Sequence, residues 1–446
     1  MAELVVLRNS HLPPMTPVLD ACLPPPIHLL PGDPPMVFLV EGSRLFETTP
    51  EYFDELSNNP ENVQRELIES LRVRNANPAQ LPLPAPTAIS LNVAQSCNIS
   101  CSYCYADEGR FGGHELMMSR DVASASIDRL LESNHGQRVT VGFIGGEPFL
   151  NRPLIHWTVD YATNRAKEVG ATVGFSVTTN GTLLNSEDLD LLRAHSFAVS
   201  VSLDGGSEVN DRERHSRNGE SVFERSVERL RPLLRLPGRA RITARATITR
   251  LDMRILERIT PLFESGFSEV GVSPLRTSPR EELALRHDDW PVFLGEMVRA
   301  AEDELQQLPH LGTLRFSNLA IALKQLHAGY CKPLPCGSVA NYVSVSARGE
   351  YFTCHRTVDD PRFFLGNTSR GLLSEPRIEF LRARHVDTQQ PCRGCWARYL
   401  CGGGCHAEVL SAGRSGCDYI RGWLDYCLRT YNLVLREHPS LFERRN

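Results

Sequence analysis

The stretch "AQSCNISCSYCYADEG", residues 94–109, holds three cysteines in eight positions: Cys97, Cys101 and Cys104. Their spacing is C-x3-C-x2-C, and no further cysteine follows until Cys331. Soft thiolates select zinc or an iron–sulfur centre. A structural zinc site is closed by four ligands. A cubane cluster with three protein thiolates leaves one iron open to another ligand. Two readings therefore stand here: a zinc loop completed by a distant cysteine, and a cluster with one free coordination position.

The neighbouring sequence places this loop in a fold. Directly before it runs "AISLNVA" (88–94). Similar apolar runs recur as "VTVGFIG" (139–145), "ATVGFSVTT" (171–179), "FAVSVSLD" (197–204), "ARITARATIT" (240–249) and "EVGVSPL" (269–275). Helical stretches such as "DVASASIDRLLES" and "SEDLDLLRAHS" lie between them. Six β–α repeats predict a parallel sheet with right-handed crossovers. Near-continuous apolar strands fit a sheet covered on both faces. Loops at the C-terminal ends of such strands usually hold the active site, and the cysteine loop sits on that rim.

A chain of 446 residues suits two or three domains. The expected divisions are an N-terminal appendage (1–85), the β–α core (86–290), a helical linker (291–330) and a cysteine-rich region (331–446). The appendage is rich in proline. Within it, "MVFLVEGSRLFETTPEYFDEL" reads as a strand, a turn at Glu41-Gly42, a second strand and a helix capped near Thr49. "NPENVQRELIESLRVR" continues as an amphipathic helix. After Cys331 come short strand-like pieces ("NYVSVSARGEYFTC") and a closing helix, "RGWLDYCLRTYNLVLREH".

The formal net charge of −5 excludes a global basic field for nucleic acid or an anionic membrane. Lysine occurs only at Lys167, Lys324 and Lys332, which leaves few amine nucleophiles. The N-terminus lacks the pattern of a signal peptide, and no run of 18 apolar residues appears. A cytoplasmic location is the expectation, and clustered cysteines there read as metal ligands. The 13 cysteines are uneven: residues 105–330 contain none, while Cys392 to Cys405 holds four in 14 residues.

The three-cysteine loop after the first strand, with Tyr103 before its last cysteine, resembles the radical S-adenosylmethionine (SAM) superfamily. The resemblance implies an α/β fold with a partial (β/α)6 TIM-like barrel. It also implies that SAM chelates the open iron and is cleaved to methionine and a 5′-deoxyadenosyl radical, which abstracts hydrogen from an unactivated carbon. Gly145, Gly146 and Glu147 of "GGEPFL" are then expected at the methionine amino group, the glycines letting backbone approach the ligand. Thr178 and Asn180 of "SVTTNGT" are expected to face SAM. Ser202 and Asp204 of "SVSLDG" are expected near the ribose or substrate, and Arg245 on the SAM carboxylate.

The C-terminal cysteines resemble the SPASM pattern of that superfamily. Cys336 and Cys354 are separated by 12 residues, Gly349 and four more residues. "CRGCWARYLCGGGC" then gives Cys392, Cys395, Cys401 and Cys405, and Cys417 follows. Two auxiliary [4Fe–4S] clusters are implied, making three in all. Cys336, Cys354 and Cys405, with Cys331 as the fourth, are expected on one. Cys392, Cys395, Cys401 and Cys417 are expected on the other. Cys427 is an alternative last ligand, but ten residues of helix turn it about 280° from Cys417, so it reads as a buried thiol. Cys22 reads as a lone thiol.

SPASM relatives modify peptides or proteins. The substrate expected here is a cysteine-containing polypeptide encoded nearby, with flavodoxin or ferredoxin as electron donor. "CGGGCHAEVLSAGRSGCDYIRGWLDYC" resembles maturases that join cysteine sulfur to an Asp or Glu side-chain carbon, the type that matures the small subunit of quinohemoprotein amine dehydrogenase. Other SPASM chemistry (C–C crosslinking, or dehydrogenation of Ser or Cys as in sulfatase maturation) is the alternative. His355 after Cys354 replaces the aspartate base of sulfatase-maturing relatives. A non-catalytic zinc scaffold is the reading from a different class.

Several residues keep two readings. His355 and His406 are either donors to cluster sulfide or solvated loop histidines. Tyr103, Tyr105 and Phe111 fill core or pack on adenine. "NDRERHSR" (210–217) reads as a solvated loop from which Asp211 and Arg214 meet substrate. The appendage is either a packing extension or an edge strand for a substrate leader segment.

Overall fold

The computed structural model describes residues 5–6, 27–58 and 83–443. Cys22 and the amphipathic stretch at 59–74 lie outside these residues. The chain divides into two compact units. The first takes the chain before Leu83 with Phe293–Cys336 and Phe380–Asn446; the second takes Leu83–Val292 and Gly337–Glu379.

The first unit opens with β1 (Val5–Val6), β2 (Ile27–Leu30), β3 (Met36–Leu39), β4 (Arg44–Glu47) and α1 (Pro50–Asn58). The strands lie in the order β1-β4-β3-β2, all antiparallel neighbours. The β3–β4 turn falls at Glu41-Gly42 as expected, where Gly42 takes a left-handed φ of +87°. The Thr49 hydroxyl accepts from the Tyr52 amide at 3.3 Å and starts α1. Ile27, Val37, Leu39, Phe46 and Leu56 close a small core beneath the sheet.

The second unit is built from β–α repeats. In chain order these are β5 (Ala88–Ala94), the short β6 (Ile99–Cys101), α2 (Arg120–Glu132), β7 (Arg138–Gly145), α3 (Arg152–Glu168), β8 (Thr172–Thr179), α4 (Ser186–Ala194), β9 (Phe197–Ser202), α5 (Ser207–Glu213), β10 (Arg214–Ser216), α6 (Val222–Arg235), β11 (Arg241–Ile248), α7 (Ile255–Glu264) and β12 (Val270–Pro274). β5, β7, β8, β9, β11 and β12 lie side by side in that order, every pair parallel. This is the β–α arrangement that the periodicity predicts.

Strand alternation sorts the two faces of the sheet. Phe175, Val177, Phe197, Val199 and Val201 are buried, and Phe175 stacks on Phe197 with centroids 5.2 Å apart. The opposite face carries Ser176, Thr178, Ser200, Ser202, Thr243 and Arg245, which are half-buried or exposed. An apolar helix-side face and a small, polar open face therefore come from the same strands.

Residues after Cys331 also enter this sheet. β13 (Tyr342–Val345) pairs parallel with β5, and β14 (Glu350–Phe352), β15 (Phe364–Asn367) and β16 (Gly371–Leu372) continue it antiparallel to ten strands. The stretch expected as one region, 331–446, is thus shared between the units.

The rest of the first unit is helical: α8 (Trp290–Leu311), α9 (Ser317–His327), α10 (Ser374–Arg384), α11 (Arg398–Cys401), α12 (His406–Ala412) and α13 (Cys417–Glu437). Phe316 packs edge-on to Trp423 and Phe293 to Tyr419. The N-terminal sheet is fastened to the cysteine-bearing segment of its own unit. His28 stacks on Trp396 at 3.8 Å and bonds Asp425 at 2.9 Å. Arg398 sits 3.5 Å from Glu41, and Arg436 pairs with Glu47.

Candidate active site and cysteine centres

The cluster loop is held by residues on every side of it. β6 carries Cys101 and pairs antiparallel with β10, setting Arg214 opposite Cys101 and Ser216 opposite Ile99. The segment "NDRERHSR" is therefore not a solvated loop; α5 and β10 form its backbone, and Arg214 is 7% exposed. Pairing with a loop is invisible to any periodicity, because each strand is three residues long. One terminal nitrogen of Arg214 reaches Cys101 Sγ at 3.7 Å, and its Nε donates to Asp204 at 3.0 Å. The guanidinium also lies over the Tyr103 ring at 5.6 Å.

Asp204 ties these pieces together. It is fully buried. One carboxylate oxygen accepts from the Thr247 amide at 2.8 Å; the other accepts from Arg214 Nε and the Tyr103 hydroxyl. Both oxygens are spent on the protein, so Asp204 fixes the loop rather than presenting a free acceptor. Tyr103 is core at 7% exposure, whereas Tyr105 is 43% exposed beneath the Arg356 guanidinium at 4.8 Å. Further residues not foreseen hold the loop as well. Ser100 donates to Glu108 at 2.7 Å, Ser102 donates to Glu213, and Arg217 donates to the Cys97 carbonyl at 3.1 Å.

The "GGE" segment packs under the same loop. A Cβ on Gly145 would lie 2.2 Å from the Ala94 carbonyl oxygen. One on Gly146 would lie 2.3 Å from that of Ser96. The glycines are needed because two backbone segments of this chain touch there, a cause different from ligand approach. Glu147 is fully buried and accepts from the Asn180 amide and the Thr179 hydroxyl, each at 2.8 Å, and from the Phe149 amide at 3.1 Å. Burial pushes its pKa up to about 7 against these hydrogen bonds. Thr179 makes the contact with Glu147, and Thr178 is exposed on the open face. Asn180 Nδ2 approaches Cys97 Sγ at 3.9 Å.

The raised pKa of Glu147 carries a sign. A carboxyl whose folded pKa exceeds its unfolded 4.5 binds extra protons in the native state, so stability falls as pH rises from 4.5 through about 7. Wild type is expected to lose about 3 kcal/mol over that window relative to Glu147→Gln. Urea unfolding of both proteins at the two ends of the window measures this, and parallel curves would refute it.

The open face adds a row of polar groups. Thr178 stands opposite Ser200, and Ser202 opposite Arg245. Arg245 donates to Ser273 at 3.1 Å. Asn92, fully buried beside Gly145, leaves both side-chain amide atoms without a protein partner, a polar group of the kind that a bound ligand satisfies.

The thiols test the fit of a cluster. Burial pushes Cys97 up to about 12, with Glu147, Cys101 and Cys104 adding repulsion against the Ile99 amide. Burial likewise pushes Cys101 up to about 11 against the nearby Arg214. Three thiols that repel one another as anions suit a cationic centre that displaces their protons. Among the described residues no three His, Cys, Asp or Glu side chains converge as a single metal ion requires. Thiolates around a cubane stand further apart than those around one zinc ion.

A second set gathers in the first unit. Burial pushes the Cys392 and Cys417 thiols up, and the nearby Cys395 and Cys401 add repulsion to both. Arg421 reaches Cys395. Gly402, Gly403 and Gly404 all adopt left-handed φ, from +73° to +88°. A Cβ on Gly402 would sit 2.5 Å from Pro335 Cα, so only glycine lets the 334–336 segment pass beside Cys401. Cys427 is fully buried further along α13. Cys331 lies elsewhere, with the Gly42 amide, Asp387, Arg398 and Glu41 around it. Cys354 belongs to the second unit, where the Thr357 hydroxyl approaches its sulfur at 3.8 Å. His355 bonds the Tyr342 hydroxyl at 3.2 Å, and burial pulls its pKa down to about 4. His406 is 2% exposed and accepts from Arg384 at 2.9 Å, so it is no solvated histidine.

Comparison with known proteins agrees with this geometry. Residues 91–244 match the Radical SAM superfamily model. MJ0907 of Methanocaldococcus jannaschii is 33% identical over 129 residues, which is 29% of this chain and 42% of that protein. Mycofactocin maturase MftC of Mycobacterium tuberculosis is 27% identical over 74% of this chain and 81% of its own. The structure of anSMEcpe with bound AdoMet and Kp18Cys peptide superimposes with a TM-score of 0.66 at 18% identity, covering 79% of this chain and 99% of that one. The fold and the match over residues 91–244 give the chain a Radical SAM domain, and its likeness to maturases makes it an enzyme. Maturases of that superfamily are among the proteins to which the chain is similar. A Radical SAM domain implies SAM and a [4Fe–4S] cluster, which when bound would supply a 5′-deoxyadenosyl radical. Among the described residues no helix is long and apolar enough to cross a membrane.

Proposed function

We propose that the chain modifies a cysteine-containing peptide or small protein, joining the cysteine sulfur to an Asp or Glu side-chain carbon. The observation that carries this reading is the second cysteine set, Cys392, Cys395, Cys401 and Cys417, gathered in one unit beside the glycine run. It supports an auxiliary [4Fe–4S] centre in addition to the one on Cys97, Cys101 and Cys104. A thioether bond breaks one C–H and one S–H bond, so one electron must leave after the hydrogen atom has been taken, and an auxiliary centre is a suitable acceptor. A reduced flavodoxin or ferredoxin is the proposed donor for the first centre. The open face bearing Thr178, Ser200, Ser202 and Arg245 is the proposed wall of the SAM and substrate cavity.

The likeness to MftC, a maturase by its printed name, favours a peptide over a small metabolite. His355 in place of an aspartate after Cys354 weighs against a formylglycine-forming reaction. Anaerobically reconstituted enzyme is to be incubated with SAM, reductant and the cysteine-rich polypeptide of the neighbouring gene. The product should lose two hydrogens per bond and fail to alkylate at the joined cysteine. An unchanged mass, or a cysteine that still alkylates after the mass loss, would sink the thioether reading.

A further inference from the structure

Two guanidiniums lie where the glycine run meets the auxiliary cysteines. Arg384, at the end of α10, is 4% exposed. Its Nε donates to His406 Nδ1 at 2.9 Å, and one terminal nitrogen donates to Gln389 Oε1. The other terminal nitrogen donates to the carbonyls of Gly403 and Gly404 at 3.4 and 3.3 Å. Arg414 donates to the Gly403 carbonyl and to the same Gln389 oxygen. All of these acceptors are neutral. Among the described residues no carboxylate pairs with either arginine.

Among the described residues Arg214 has Asp204 and Arg398 lies 3.5 Å from both Glu41 and Asp387, whereas buried Arg258 and Arg377 bond backbone carbonyls; Arg384 differs from these in sharing its acceptor with a second guanidinium. Arg384 is a buried charge without a paired carboxylate, which is costly, and half-buried Arg414 on the same acceptor compounds the cost. An anion belongs beside this pair. The groups at hand are thiols. A Cβ on Gly403 would lie 3.8 Å from Cys392 Sγ, and Gly404 directly precedes Cys405. Arg384 feels Cys392, Cys405 and Cys336, and Arg414 acts on Cys392 and Cys417.

We propose that Arg384 and Arg414 are the counter-charges of the auxiliary iron–sulfur centre on Cys392, Cys395, Cys401 and Cys417, positioning residues that clamp its glycine run and favour its reduced state. The inference rests on the auxiliary-centre reading above. A thiolate-ligated cluster becomes more negative on reduction, so adjacent fixed positive charge raises its potential. Gln389 orients the pair by accepting from both. His406 takes part through Nδ1, which accepts and so bears no proton.

The test uses the reconstituted full chain as wild type, Arg384→Gln, Arg414→Gln and Arg384→Lys. Iron and sulfide are counted, and reduction is followed by electron paramagnetic resonance at controlled potential. The centre whose spectrum SAM leaves unchanged is the auxiliary one. In each Gln variant its reduced fraction at fixed poise should fall about tenfold, about 59 mV for one electron, while the SAM-responsive centre keeps its midpoint. Arg384→Lys should recover most of the loss. Loss of the auxiliary iron in Arg384→Gln, with retention in Arg384→Lys, would also support the counter-charge role. Full iron with an unchanged midpoint in both Gln variants would overturn it. Wild type with only about four irons and no SAM-independent signal would instead overturn the auxiliary-centre reading on which it stands.

Discussion

Cys101→Ala is expected to bring 5′-deoxyadenosine formation by the reconstituted enzyme to background. Cys101 is one of only three thiols that the loop offers, and the carboxylates near it are engaged elsewhere, Asp204 by Arg214 and Glu108 by Ser100. Loss of a group that merely supports a ligand costs about 10–100-fold, and loss of the ligand itself should exceed that. The alanine also leaves the Arg214 guanidinium facing an empty place 3.7 Å away. Cys427→Ala is the matched control. That thiol is fully buried on α13, away from either cysteine set, and its removal should leave SAM cleavage intact. Quantifying 5′-deoxyadenosine by liquid chromatography checks both variants. Residual turnover in Cys101→Ala within tenfold of wild type would contradict its place on the cluster.

Asp204→Ala should produce the largest loss of stability. The carboxylate is fully buried and is the counter-ion of Arg214, itself nearly inaccessible. Removing one partner of a buried pair leaves an uncompensated charge and costs about 3–5 kcal/mol. Tyr103 and the Thr247 amide lose their acceptor at the same time. Because Tyr103 lies between Cys101 and Cys104, the loop itself should loosen, and iron retention should fall along with the unfolding midpoint. The double variant Asp204→Ala/Arg214→Leu should be less destabilised than the sum of its parts. Urea unfolding of the four proteins of that cycle measures the coupling. Strict additivity would mean that the two side chains do not act as a pair.

The barrel was legible in the sequence because its strands are long, although covering on both faces is not what the structure has: Ser176, Thr178, Ser200 and Ser202 leave one face polar and open. "AISLNVA" forms β5 to the residue, and the other five strands differ from the expected runs only at their ends. Parallel strands under helices write that pattern plainly. β13 to β16 did not, because they are two to four residues long and embedded in glycine and cysteine. Too short to show a period, they were read with the cysteines around them instead of with the sheet they extend.

At the site, the spacing of the cysteines stands out in the sequence, whereas the residues that support the loop do not. Arg214, Glu213 and Arg217 sit more than a hundred residues after the loop in sequence and meet it only through β10. Charge in "NDRERHSR" looks the same whether it faces water or a buried sulfur. Asp204 and Glu147 were singled out as ligand contacts, but the structure spends their oxygens on Tyr103, Arg214, Thr247, Thr179 and Asn180. A polar residue at a strand end signals that something is held there without saying whether the partner is a cofactor or the neighbouring loop. The Arg384–Arg414 pair escaped for the opposite reason. Nothing in its sequence marks it, and only the meeting of buried Arg384 and half-buried Arg414 on one neutral acceptor does.

The central claim is that Cys97, Cys101 and Cys104 hold an iron–sulfur centre that cleaves SAM, and one anaerobic assay tests it directly. Reconstituted wild-type protein is mixed with SAM and dithionite, and 5′-deoxyadenosine is measured against bound iron and sulfide. Brown protein with inorganic sulfide and 5′-deoxyadenosine that accumulates with time is the expected result. Colourless protein that carries zinc, lacks sulfide and leaves SAM intact would contradict it.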